Sequence, residues 1–214
     1  MDYFFIGLLE FFFQGKLVLM IKPFDFFFDF ISPYSYIAHK EIRKIEKKYS
    51  IKIKYKPILL GGLHNLHGIK APAFIPAKAK FMIKDCKMIS DKKNIQFKFN
   101  SYFPIKTLNL MRGTLIAEED DYQSFYIDKI FESIWQDGLN MNDQGIVEKI
   151  LKNINVNPKT FFLRTSSQNI KNLLKKKTDD AYDKGIFGAP TFLINNKVFW
   201  GQDRLEFVLS ESQK

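Results

Sequence analysis

A run of aromatic residues that breaks at Ser32-Pro33 constrains this chain more than any other stretch of it. Residues 24–31, FDFFFDFI, read as a short buried strand, bounded by Pro23 on one side and Ser32-Pro33 on the other. Residues 33–48 then carry Tyr36, Ile37, Ile42 and Ile45 at helical spacing, with charges on the opposite face. Ser32 suits the N-cap, and Pro33 suits N1, where a missing N–H costs nothing. Residues 51–58 alternate apolar side chains with Lys, a second strand that ends at a turn placed at Gly61-Gly62. Strand, helix and strand with short connections make a βαβ unit, so the two strands are expected to be parallel.

The middle of the chain changes character. After a Gly- and Pro-containing loop (61–76), helical patterns cover 77–89, 104–117, 122–136, 143–153 and 158–164, with a weak strand pattern at 95–99. Residues 167–184 read as a long helix closed by Gly185. Gly188-Ala189-Pro190 then leads into an apolar run at 191–194, an Asn195-Asn196 turn, a second run at 198–200 and a last helix over 203–210. The expectation is an α/β domain of residues 21–66 and 167–214, interrupted by an all-helical insertion of 67–166. There is no internal repeat.

Composition narrows the function classes. A chain of 214 residues, 46% hydrophobic and 26% charged, can bury a sizeable core and is not globally disordered. One cysteine, Cys86, excludes an internal disulfide, a CxxC redox pair and a cysteine-rich zinc site, and fits a reducing, cytoplasmic setting. His64 and His67 lack Cys or acidic partners at metal spacing, so no metal is expected. His39 reads as a structural or surface residue. Cys86 sits in a helical pattern with no helix N-terminus beside it, and reads as a buried, inert thiol.

The net charge of +10 invites a nucleic-acid reading, but only Arg43, Arg112, Arg164 and Arg204 among 33 basic residues are arginines. Phosphate and base recognition favour the planar guanidinium, and the lysines are spread rather than clustered, so a solvated lysine surface is expected and no nucleic acid. Residues 1–20 are apolar and aromatic, yet carry Asp2, Glu10 and Gln14. They match neither a signal peptide nor an uninterrupted bilayer span. They read as an extension with a mis-assigned start, Met20 being the alternative, or as a disordered tail. A peripheral membrane anchor is the rival reading.

Three segments carry chemistry. Ser32 places a hydroxyl where a strand ends and a helix begins, where unpaired N–H groups and the macrodipole favour an anion. An ordinary Ser-Pro N-cap would look the same. Gly188-Ala189-Pro190-Thr191-Phe192 precedes a core strand, and Gly201-Gln202-Asp203-Arg204 places another helix N-terminus at a strand end. There Asp203 can cap the helix or hold a ligand ammonium group. The arrangement resembles a thioredoxin-like fold, in which the first turn holds C-P-x-C and a cis-proline stands opposite. Ser32 and Ser35 occupy the two cysteine positions, and serine carries no disulfide exchange. The turn could still hold the sulfur of an exogenous thiol.

The segments FDFISPYSYIA, KPILLGG, PAKAKFM, FPIKTLNLMRG, GIFGAPTF and FWGQDRLEF follow one another from about Asp25 to Val208. In that order and spacing they resemble 2-hydroxychromene-2-carboxylate isomerase and its relatives, the kappa-class glutathione transferases. The resemblance implies a DsbA-like thioredoxin domain with a large all-helical insertion, a homodimer, and glutathione as cofactor. It implies that Ser32 is catalytic and stabilises the glutathione thiolate, that Tyr34 lines the site, that Ala189 pairs with the glutathione backbone, and that Gln202 and Asp203 bind its γ-glutamyl end. Where the family carries an Asn before a Lys/Thr-x-Pro stretch, this chain has Ile69, a departure from the family's substrate contact for which Asn65, His64 or His67 could substitute only with the loop re-routed. The reading that follows is a glutathione-dependent isomerase of a small aromatic or conjugated substrate from aromatic degradation. The alternatives are a kappa-like glutathione transferase and a non-catalytic thioredoxin-like binding or chaperone protein.

Overall fold

The computed structural model describes residues 21–214 and the backbone of two three-residue strands before them. Those strands, β1 (Phe11–Phe13) and β2 (Lys16–Val18), pair antiparallel. The remainder of residues 1–20, on which the readings of a tail, a late start or a membrane anchor bear, lies outside the described residues.

The expected βαβ unit is present as β3 (Asp25–Phe28), α1 (Pro33–Tyr49) and β4 (Lys54–Pro57), with β3 parallel to β4. Then come α2 (Leu60–Leu66), α3 (Pro76–Lys92), α4 (Leu108–Glu119), α5 (Gln123–Trp135), α6 (Gln144–Asn153), α7 (Pro158–Thr165) and α8 (Gln168–Asp183). The chain returns to the sheet as the hairpin β5 (Thr191–Ile194) and β6 (Lys197–Trp200), and closes with a 3₁₀ turn at Gln202–Arg204 and α9 (Leu205–Ser212). The sheet order is β4-β3-β5-β6, with β5 antiparallel to both neighbours. Asn195 and Asn196 both take left-handed φ, 49° and 60°, as a tight two-residue hairpin turn requires.

Alternation along β3 builds two cores. Phe26 and Phe28 point to the α1 face, where Phe26 stacks on Phe192 at 5.5 Å and Phe28 meets Phe131 of α5 at 5.7 Å. Phe27 points to the other face, against Ile58, Leu63, Ala181 and Ile186. On the α1 side one continuous apolar cluster runs from the sheet into α4–α7, so the helices between α2 and α8 share a core with the sheet.

Three expectations need correction. Gly61-Gly62 is no turn but the first turn of α2. Its leading N–H groups are satisfied from afar, Leu59 N by Thr178 Oγ1 at 3.0 Å and Leu60 N by Asp29 Oδ2 at 2.9 Å. Residues 95–99 join no sheet. Their alternating aromatics wrap α5, with Phe97 and Phe99 against Trp135 and Lys98 N bonded to Trp135 O at 2.7 Å. The helix expected from 104 starts at Leu108, after a cis Phe103–Pro104 bond.

Candidate active site

Ser32 caps α1. Its φ/ψ of −85°/113° is extended, Pro33 follows at N1, and its Oγ accepts from Ser35 N at 3.1 Å. The same hydroxyl donates to Ala189 O at 3.0 Å across 157 residues. Ala189–Pro190 is cis, and Pro190 O accepts from Gly201 N at 3.0 Å. Thus the turn before α1, the loop before β5 and the residue after β6 meet at the C-terminal end of β3. Two glycines permit this closeness. A Cβ on Gly188 would stand 2.6 Å from Trp200 Nε1, and Gly201 holds φ +112°, where L side chains rarely sit.

Of the residues read from the sequence, Ser32 and Ala189 are in direct contact, and Gln202 follows Gly201 beside them. Gln202 Oε1 is buried and accepts no hydrogen bond among the described residues. Asp203 caps no helix; it is exposed and pairs with Arg204 at 2.7 Å. Both Gln202 and Asp203 edge a groove of about 620 Å³ between α1, α3 and α9, floored by Ile45, Ile89 and Leu205. Ser32 and Ala189 are not among its lining residues.

Tyr34 turns toward the helices. Its hydroxyl donates to Asp85 Oδ2 at 2.7 Å, and burial, then that bond, holds its pKa far above the usual range, so it stays protonated. Cys86, next along α3, is fully buried, and burial pushes its thiol up to about 12. It is a neutral packing residue, as the sequence suggested. His39 is structural: fully buried, it bonds Tyr55 Oη at 2.9 Å and Asp128 Oδ1 at 2.7 Å, and burial lowers its pKa. His67 Nε2 bonds Ile186 O at 2.9 Å, tying α2 to the loop before Pro190. His64 is half-buried, while Asn65 and Ile69 are exposed.

Asp29 was not singled out from the sequence, yet it underpins this end of the sheet. Its carboxylate is buried and accepts from Ile31 N (3.0 Å), Leu60 N (2.9 Å) and Thr107 Oγ1 (2.7 Å), while its carbonyl accepts from Ser32 N at 3.1 Å. It therefore fixes the Ser32 turn, the start of α2 and the start of α4 relative to one another. Burial raises its pKa despite these donors. An acid placed directly after the aromatic run of β3 was the signal, because unpaired carboxylates are rarely buried.

Residues 24–213 match the family model described as DSBA-like thioredoxin domain. The chain belongs to that family. Among curated relatives, the 2-hydroxychromene-2-carboxylate isomerase of Sphingobium xenophagum is 27% identical over 193 residues, which are 89% of this chain and 98% of the relative. Glutathione S-transferase kappa 1 of Caenorhabditis elegans is 27% identical over 199 residues, covering 86% of this chain and 88% of the relative. Among solved structures, a 2-hydroxychromene-2-carboxylate isomerase superposes with a TM-score of 0.81 at 21% identity, over 88% of this chain and 93% of that one. The cytosolic disulfide reductase DsbM of Pseudomonas aeruginosa, solved with GSH, gives 0.62 at 10% identity, over 87% and 92%. The segments that suggested these relatives are thus embedded in a DsbA-like fold with a thioredoxin sheet and many helices. In this DsbA-like domain Ser32 and Ser35 stand one helical turn apart at the N-terminus of α1, and neither can form a disulfide.

Proposed function

We propose that this protein is a glutathione-dependent isomerase of the 2-hydroxychromene-2-carboxylate isomerase type, acting on a small conjugated or aromatic substrate. The observation that carries the reading is the Ser32 hydroxyl, positioned at a helix N-terminus and 3.0 Å from Ala189 O beside a cis-proline. On glutathione binding the hydroxyl turns from Ala189 O to the sulfur and donates to the thiolate. The thiol proton leaves to solvent, and the α1 N-terminus stabilises the negative charge that remains.

The freed Ala189 carbonyl then pairs with a glutathione amide N–H. Gln202 Oε1, buried without a donor, accepts from the γ-glutamyl ammonium group, and Asp203 balances its charge. The thiolate adds to a conjugated carbon, turning a double bond into a rotatable single bond. After rotation, elimination re-forms the double bond and returns the thiolate unchanged. A thiol brought from about 8.5 to neutrality gains roughly tenfold in ionised population, so positioning on the Ser32 turn contributes the larger share. Absence of any cysteine at the turn supports a reaction that consumes no disulfide, suited to the cytoplasm.

The kappa-class relatives favour a second reading, a transferase using the same site, in which elimination does not follow addition. Mass spectrometry of the product separates the two: the isomerase releases a product isomeric with its substrate, the transferase one heavier by glutathione. Calorimetric titration with glutathione tests both. No heat at millimolar ligand, with no thermal stabilisation, would leave only a non-catalytic binding protein.

A further inference from the structure

A smaller pocket lies between α2, α4 and α8, with a volume of about 250 Å³. Leu59, Leu66, Leu108 and Leu174 supply its apolar wall, and Arg112 and Lys171 stand on its lining. The chain has four arginines, and three of them are held by carboxylates: Arg43 by Asp128 and Glu46, Arg164 by Glu119 and Asp120, and Arg204 by Asp203. Arg112 differs. Among the described residues its side chain reaches only neutral acceptors, Asn109 Oδ1 at 3.2 Å and Thr165 O at 3.5 Å, and its Nε is buried with no acceptor at all. Burial lowers its pKa with no anion to offset the effect.

The other polar groups of the pocket are already engaged. Asp179 accepts from Lys175 at 2.6 Å, and the Thr178 hydroxyl accepts from Leu59 N and donates to Leu174 O. What remains among the described residues is a half-buried guanidinium and a lysine facing leucines, the one carboxylate of the lining, Asp179, being taken by Lys175.

We propose that this pocket is a binding site for a small apolar carboxylate, its acid group on the Arg112 guanidinium and its hydrocarbon against Leu59, Leu108 and Leu174. A guanidinium in an apolar setting takes a carboxylate through paired N–H donors, which Lys matches less well. The volume equals that of about eight waters at roughly 30 Å³ each, so the ligand is of single-ring or short-chain size. Leu59 and Leu108 adjoin Leu60 and Thr107, two of the three groups that donate to the Asp29 carboxylate, so the ligand rests against the same end of the sheet as the Ser32 turn. The site does not depend on the glutathione reading.

The test uses the full chain and three probes, benzoate, phenylacetate and octanoate, each against its uncharged alcohol, followed by amide chemical shifts in two-dimensional NMR. At least one acid is expected to shift residues of α2, α4 and α8 saturably, with its alcohol at least tenfold weaker. Arg112→Gln should weaken that acid tenfold or more, Arg112→Lys should recover part of the loss, and Ser32→Ala should leave the acid's affinity unchanged. Lys171→Gln gives a second reading should Arg112→Gln fold poorly, and is expected to weaken the acid several-fold. Failure of all three acids to bind below 10 mM, or equal binding of acid and alcohol, or undiminished binding to the Arg112 and Lys171 variants, would overturn the proposal.

Discussion

The hydroxyl of Ser32 and the carbonyl of Ala189, 157 residues apart in sequence, are bonded at 3.0 Å. One side chain thus both caps α1 and ties the α1 turn to the cis Ala189–Pro190 loop. The candidate site is therefore closed on itself before any ligand arrives. A ligand that draws the Ser32 hydroxyl away must offer Ala189 O another donor.

Replacing Ser32 by Ala removes the cap and that tie. Stability should fall by about 1–2 kcal/mol, the usual cost of a lost N-cap with some allowance for an unpaired carbonyl. Glutathione-dependent turnover should fall at least a hundredfold. Urea unfolding and steady-state assay report the two quantities separately, and turnover within a factor of three of the parent would take Ser32 out of the mechanism.

The Ser32→Cys, Ser35→Cys double variant should gain thiol–disulfide exchange. Both positions lie in the first turn of α1, where a thiol at the N-cap is acidified by the helix terminus. Catalysed reduction of insulin by dithiothreitol is the readout, with the parent chain inactive because Cys86 is buried. If mild oxidation leaves two free thiols at these positions, the correspondence of the turn with C-P-x-C is wrong.

Asp29 makes stability depend on pH with a definite sign. Burial raises its folded pKa above the usual 3.8, so the folded chain holds this proton more tightly than the unfolded one. Its contribution is complete below 3.8 and is lost as pH rises through the higher folded value. Asp29→Asn, with no proton to lose, should flatten that slope in urea titrations taken between pH 4 and 8. Asp29→Ala leaves two buried N–H groups and the Thr107 hydroxyl without their acceptor, and should cost several kcal/mol at about 1–3 kcal/mol each. An unchanged slope in the Asn variant would show that another group sets it.

Gly113→Ala sets helix propensity against packing. In an isolated helix the change gains about 1 kcal/mol. Here the new methyl would lie within 2.6 Å of ring atoms of Phe161 and closer still to the Tyr126 hydroxyl, both fully buried. Overpacking of this kind costs about 1–3 kcal/mol or more, so net destabilisation is expected, read as a lower Tm.

Cys86 should not react with Ellman's reagent in the native chain, because it is buried and its pKa is pushed up to about 12. One thiol should appear on unfolding in guanidinium. Rapid native labelling would mean that α3 opens near Tyr34.

The parts of this fold that announce themselves in the sequence are those with local causes. Ser32-Pro33 starts α1, Gly185 in left-handed φ closes α8, and Asn195-Asn196 turns the β5–β6 hairpin; each is decided within a few residues. What is hidden depends on distant partners. Gly61-Gly62 looks like a turn because the groups that satisfy the start of α2 come from Asp29 and Thr178, 31 and 119 residues away. Residues 95–99 alternate like a strand because alternate side chains lie on Trp135, not because a neighbouring strand pairs with them. At the candidate site, the sequence singled out Ser32 and Ala189, which the fold brings into contact, whereas Asp29 emerged only when Leu60 and Thr107 converged on it.

The two tryptophans divide the molecule between them. Trp135 is wholly buried and its indole N–H donates to Phe30 O at 2.8 Å, two residues before Ser32, while Trp200 ends β6 beside Gly188 and is 53% exposed. The chain therefore contains two built-in fluorophores of opposite character. A blue, acrylamide-resistant component reports whether the junction of sheet and helices is intact, and a red, quenchable one reports what approaches the cis-proline loop. Ligand capture and unfolding can be followed as separate colours in one cuvette, with no label attached.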